Sequence, residues 1–250
     1  IVLRVNPWLA IVGAIAYGFS SYYFIILDAG HNSKAHAIGY MAPLIAGIIL
    51  TYRGKYIAGG ILTLLFMALE IRAGHPQITY YLMLLLLVFG ITELVKDIRK
   101  KNLKHFAKAS VIVIIAGLFG ALTHITNLWA TYEYGKYTIR GKTELSTEKE
   151  NRTSGLDKDY ATQWSYGVSE TFTLVVPNFK GGASGVIGDN ENALDKVDNR
   201  FKEYVAGSNQ YWGNQPFTSG PVYAGAIVFF LFVLGLIIIK GDLKWWLLAG

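Results

Sequence analysis

Lys34 stands between His31 and His36, and Asp28 lies just upstream, in the stretch LDAGHNSKAHAIGYMAPL at 27–44. An ammonium with imidazoles beside it, at the level where the chain leaves an apolar block, suits an anionic headgroup: Lys brings a point charge and His a hydrogen-bond donor. The plainer role is anchoring, with long side chains snorkelling to an interface. If Lys34 begins a helix, its side chain shares a face with Ile38 and Met41, and His31 falls in the preceding turn. A second cluster, LEIRAGHPQITYY at 69–81, holds Glu70, Arg72, His75 and Gln77. Glu70 sits about one turn inside an apolar block, where a bare carboxylate is costly, so it needs a partner or a water-filled cavity. Arg72 is two residues away and points to another face, which leaves a basic group of the first cluster as the candidate mate. A third, NLWATYEYGKYTIRGK at 127–142, alternates Glu133, Arg140 and Lys142 with Tyr132, Tyr134 and Tyr137. Arg140 and Lys142 suit a phosphate, one as a planar fork and the other as a point charge, while the tyrosines fit an interfacial belt. Residues 155–167 and 211–216 mix aromatic rings with amides, which suits either a sugar or the core of a folded loop.

Other chemistries lack their motifs. The chain has no GxGxxG ahead of a helix, no Walker-type lysine loop, no HExxH and no GxSxG. His31, His36, His75, His105 and His124 form no closely spaced set with a carboxylate, so no metal site is assigned and no cofactor is expected, with a divalent cation left open. Asn151 opens a formal glycosylation triplet of the kind that arises by chance.

The elements that must position these groups are apolar. Of the 250 residues, 52% are hydrophobic and 16% charged, too greasy a balance for an ordinary soluble domain. The apolar residues gather in blocks close to the ~20 residues that cross a ~30 Å hydrocarbon core. Spans are expected at about Trp8–Leu27, His36–Tyr52, Tyr56–Arg72, Gln77–Val95, Ala107–Trp129 and Val222–Ile239, with another starting near Trp245. Arg4, then Arg53 and Lys55, then Lys96, Arg99, Lys100, Lys101, Lys104 and Lys108, then Lys240 and Lys244 fall on alternate sides, and the positive-inside rule makes that side cytoplasmic. The net charge of +6 is thus a topology signal with attraction to anionic lipid, and nucleic acid is a poor explanation for it. The expected organisation is five spans over 1–129, a water-exposed extracytoplasmic region over 130–220, and a sixth span with the start of a seventh over 221–250. Within that region Glu170–Pro177 reads as a strand and Gly188–Ala193 as its most flexible part. The chain starts at Ile1, without a basic n-region or cleavage site, and stops inside an apolar run, so it reads as a piece of a longer protein.

Five runs then carry a resemblance: GHNSKAHAIGYM at Gly30, HPQITYYL at His75, RGKTEL at Arg140, SGLDKDY at Ser154 and YWGNQP at Tyr211. Through them the sequence resembles the Bacteroidetes branch of the YfhO family of bacterial membrane proteins. That resemblance implies an all-α polytopic GT-C-like helical bundle in the bacterial cytoplasmic membrane, with a large extracytoplasmic loop of mixed structure. It implies a glycosyltransferase taking a sugar from a polyprenyl-phosphate carrier to a cell-envelope glycan or lipid acceptor. It also places the essential acid in a first loop upstream of Ile1, leaving Glu70 and Asp28 as reserve candidates for the base. His31, Lys34, His36, Arg72, His75, Gln77, Glu133, Arg140 and Lys142 are then the candidate substrate-binding groups. A transporter or lipid flippase, or a non-catalytic scaffold, are the competing readings; polar groups crowding one face rather than the mid-membrane speak against the transporter.

Overall fold

The computed structural model describes residues 2, 5–138 and 158–240; Arg140, Lys142, the Asn151 triplet and the apolar run from Trp245 lie outside them. Among the described residues the protein is mainly helical, and four apolar segments are long enough to cross a membrane: Pro7–Asp28, Asn32–Tyr52, Pro76–Arg99 and Leu103–Leu122. The chain folds as two compact units, one of Ile1–Phe19, Gly30–Tyr132 and Gly235–Gly250, the other of Ser20–Ala29 and Glu133–Leu234.

The first unit is built on helices with legible starts. Helix α1 (Pro7–Gly18) opens with Pro at its first position, and the Asn6 side chain accepts the Trp8 N–H at 2.9 Å, a proper N-cap. The expected first span is interrupted at Phe19–Ser20, and the chain resumes as α2 (Ser21–Asp28), which belongs to the other unit. Helix α3 (Asn32–Tyr52) begins four residues before the expected His36, with His31 at its N-cap position and the polar Asn32 and Ser33 in its first turn. Helix α4 (Tyr56–Arg72) matches expectation, though its 17 residues span only about 25 Å. Helix α5 (Pro76–Arg99) starts on Pro76 and carries Lys96 and Arg99 in its last turn, where cations favour the negative end of the helix dipole. The span expected to Trp129 stops earlier: α6 (Leu103–Leu122) ends where the Thr123 hydroxyl bonds back to the Gly120 carbonyl at 2.7 Å, and α7 (Ile125–Gly135) follows.

Packing in this unit depends on small residues. Helices α3 and α4 run antiparallel, and a Cβ on Gly59 would clash with Thr51 Oγ1 and lie 2.5 Å from the Thr51 backbone nitrogen. Helices α4 and α6 run parallel, with Gly120 so near α4 that a Cβ there would lie 2.7 Å from the Leu64 carbonyl. Backbones that approach this closely gain van der Waals contact without needing water to drive them together, the mode of association that works in lipid. The buried cluster is Leu44, Ile48, Tyr52, Leu82 and Ala109, with Phe66, Phe89 and Phe106 packed against it. Outward faces stay apolar: Trp8 is 77% exposed, Ile57 81% and Ile114 59%. Apolar side chains facing outward on long helices are what a lipid solvent requires.

The second unit holds short elements: α8 (Lys158–Thr162), a 3-10 helix at Val168–Leu174, β1 (Gly181–Val186), another 3-10 turn at Ile187–Asp189, α9 (Glu191–Leu194), α10 (Lys202–Ala206), β2 (Asn209–Tyr211) and most of α11 (Ala226–Ile238), whose last residues count with the first unit. Strands β1 and β2 pair antiparallel, Gly181 opposite Tyr211 and Val186 opposite Asn209. Two expectations are corrected. Glu170–Pro177 is no strand, since most of it coils as the first 3-10 helix, and Val222–Ile239 yields only 13 helical residues because 222–225 lie outside the helix, with Gly225 at φ +106°. At about 20 Å, α11 is shorter than a bilayer core.

Candidate functional site

The end of the first unit where α3 starts, α4 finishes and α5 starts gathers most of the singled-out groups. Lys34, Ile38 and Met41 are half-buried on one face of α3, as the spacing predicts. The Ile38 carbonyl on that face accepts the Tyr17 hydroxyl of α1 at 2.9 Å. His75 stands at the N-cap position of α5 and is half-buried. Burial lowers its pKa, and the charges of Lys34 and His31 lower it further. Those two groups therefore lie close enough to be felt at the imidazole. Among the described residues no carboxylate pairs with His31, Lys34 or His75; the ion pairs found there are Lys96–Glu93, His105–Asp97 and Arg200–Asp198. A lysine ammonium with imidazoles near it and no carboxylate of its own favours an anionic ligand.

Glu70, in the last turn of α4, is fully buried. Its Oε1 accepts the Thr79 hydroxyl of α5 at 3.2 Å, and its Oε2 has no hydrogen-bond partner. The expected basic mate is thus absent, and the partner is neutral: Thr79 stands one turn into α5 and reaches the carboxylate first, while Arg72 is exposed on another face. The remaining candidates are dispersed. His36 is exposed and stacks on Tyr40, with ring centroids 6.4 Å apart, and Gln77 donates to the Tyr81 hydroxyl at 2.8 Å. Asp28, the last residue of α2, and Glu133, in the last turns of α7, are exposed and belong to the second unit.

In the second unit the two aromatic and amide stretches do meet. The Gln215 side chain donates to the Trp164 carbonyl at 2.6 Å, and Phe217 meets the Trp164 ring edge-on at 4.6 Å. Beneath them lies a group that the sequence reading passed over. Glu170 is fully buried: Oε1 accepts the Tyr211 hydroxyl, and Oε2 accepts the N–H groups of Gly167 at 2.6 Å and Asn214 at 3.0 Å. Burial pushes the Glu170 carboxyl up, but the Tyr211 hydroxyl, the two N–H donors and the charge of Lys180 outweigh it and leave the pKa below the usual value. Burial, then the bond to Glu170, pushes the Tyr211 hydroxyl up to about 12. The signal for this was Gly-Val-Ser-Glu at 167–170, an N-cap followed three residues later by Glu, in which the carboxylate reaches back to the cap N–H. Tyr211 and Asn214 are accordingly structural, and the exposed faces of Trp164, Trp212 and Phe217 are what this unit offers to a ligand.

Compared with protein-family models, with curated proteins and with solved structures, the chain matches none of them.

Proposed function

We propose that this chain is part of a polytopic bacterial membrane glycosyltransferase that takes a sugar from a polyprenyl-phosphate carrier on the extracytoplasmic side of the cytoplasmic membrane. The observation that carries the reading is Lys34, with no carboxylate paired to it, close to His31 and His75 at one end of a bundle of apolar helices. Support also comes from the sequence runs that resemble the YfhO family, two of which hold these residues. In the proposed reaction an acceptor hydroxyl of a cell-envelope glycan or lipid attacks the anomeric carbon. The bond from that carbon to the phosphate oxygen breaks, polyprenyl phosphate leaves, and a carboxylate takes the hydroxyl proton. Lys34, with His31 and His75 as donors, would stabilise the charge growing on the leaving phosphate, where electrostatic help has most effect. Arg140 and Lys142 join this set by sequence only. The proton acceptor is expected in a loop upstream of Ile1; of the reserves, Asp28 is accessible, whereas Glu70 is enclosed and ties α4 to α5 through Thr79.

The test is release of free polyprenyl phosphate by the full-length protein in liposomes supplied with polyprenyl-phosphate sugars and an envelope extract as acceptor. Lys34→Ala is expected to slow release at least tenfold with normal insertion, and Arg53→Ala, at the other end of α3, to leave it unchanged. No sugar-dependent release from any donor, or full activity of Lys34→Ala, would overturn the reading.

A further inference from the structure

A second surface of the first unit lies at the end opposite the His31–Lys34–His75 trio. Helices α4 and α6, side by side and parallel, leave between them a groove of about 320 Å³. Its walls are Ile57, Ile61 and Leu64 from α4 and Ile112, Ile115 and Phe119 from α6, and its floor is low because Gly60 and Ala116 stand where larger residues would fill it. Tyr56 marks the mouth, with the Lys108 Nζ 4.3 Å above its ring.

The residues along α6 turn from charged to apolar on a single stripe. Lys104, Lys108, Ile112, Ile115 and Phe119 recur at intervals of four, four, three and four, which is one face of a helix. The two lysines of that stripe are exposed, as are Arg53 and Lys55 just before α4. Because α4 and α6 both begin here, both positive dipole ends also point to the mouth. Among the described residues the acids of this end are taken: Asp97 is buried and accepts from His105 Nδ1 at 2.8 Å, and Glu93 is bound by Lys96 at 2.7 Å. Apolar walls leading to an uncompensated basic mouth match one kind of molecule, with a long hydrocarbon tail and an anionic head.

We infer that the groove between α4 and α6 binds an anionic phospholipid, one acyl chain lying along Ile57, Ile61, Ile112 and Ile115 and its phosphate at Lys104 and Lys108. This site rests on the membrane reading of the helices and is independent of any transferase activity. It answers to a lipid of the opposite leaflet from the proposed carrier, and basic pockets between helices on the positive side of a membrane are where such headgroups are held.

Native mass spectrometry of the full chain released from detergent micelles, with phosphatidylglycerol or phosphatidylcholine added, tests it. Phosphatidylglycerol adducts are expected to survive activation at least tenfold better than phosphatidylcholine adducts. Lys104→Ala with Lys108→Ala should erase that preference, and Ile115→Trp, which fills the groove from an exposed position, should strip both lipids. Equal retention of the two lipids, a preference that persists in the double lysine variant, or a lipid-free dimer closed over the groove would overturn the inference. A chain extracted from membranes by alkaline carbonate would instead defeat the membrane reading itself, so the two failures are distinguishable.

Discussion

Glu70 and Glu170 are the same residue type, both fully buried, and they differ in what meets them. Glu170 is supplied with two N–H donors and a phenol, whereas Glu70 has one hydroxyl and a bare oxygen. Hydrogen bonds to a charged acceptor are worth about 1.5–3 kcal/mol each, and a buried acceptor left unmet costs a similar amount. Tyr211→Phe should therefore lower the local stability around Glu170 by about 2 kcal/mol. Hydrogen exchange of the Gly167 and Asn214 amides should accelerate roughly 30-fold, and unchanged rates would show that the phenol is incidental. Since the Glu170 carboxyl is held below its usual value, folding favours its ionised form. Its contribution is complete above the unfolded-state value and disappears as pH falls through the folded one. Protection of these amides should fade on acidification in the wild type, and Glu170→Gln should flatten that dependence.

Helices and their packing were more legible than single carboxylates. Pro7 and Pro76 announce helix starts, and the basic last turn of α5 announces its end. The interruption at Phe19–Ser20 had only a slight mark, Gly18 and the serines Ser20 and Ser21, of which Ser20 is the N-cap of α2; bonds within the second unit, such as the Ser21 hydroxyl on the Tyr223 carbonyl, reveal that 20–29 belongs elsewhere. Glu170–Leu174 misled for a related reason. Its Thr and Phe residues have strand propensity, but a carboxylate bonded to the N–H three residues earlier coils the chain. Where α3 meets α4, no packing partner is legible from residue types, and the structure makes a sharp claim. Gly59 has no space for a side chain against Thr51. Gly59→Leu should destabilise the first unit by about 1–3 kcal/mol or more, since overpacking must move backbone. Unfolding by sodium dodecyl sulfate titration measures this. Gly13→Leu on α1, which has open space, is the matched control, and equal behaviour of the two variants would refute close helix packing.

At the scale of the whole molecule, the alternation of basic ends and the large polar region predict sidedness. The chain has no cysteine, so single cysteines report without background. Thr171→Cys should react with an impermeant maleimide in intact spheroplasts, and Lys100→Cys only after lysis. The reverse pattern would invert the proposed topology, and labelling of both in intact cells would deny that the helices cross. The long apolar segments were readable because a run of about twenty apolar residues is long enough to cross a bilayer, and four of the described segments have that length. The site was readable only as residue types: which of Lys34, His75 and Arg72 share a pocket depends on helix rotation, and rotation is decided by close glycine approaches that no periodicity announces. The clasp at Glu170 has one more consequence. It joins Gly167 to Asn214 across a long stretch of chain, so the two ends of that stretch are fixed whatever lies between them. Lengthening a loop whose ends are already held costs only about 0.6 kcal/mol per doubling. Residues inserted between α9 and α10 should thus leave the aromatic face above the clasp in place, which makes that segment the natural point of entry for added chain.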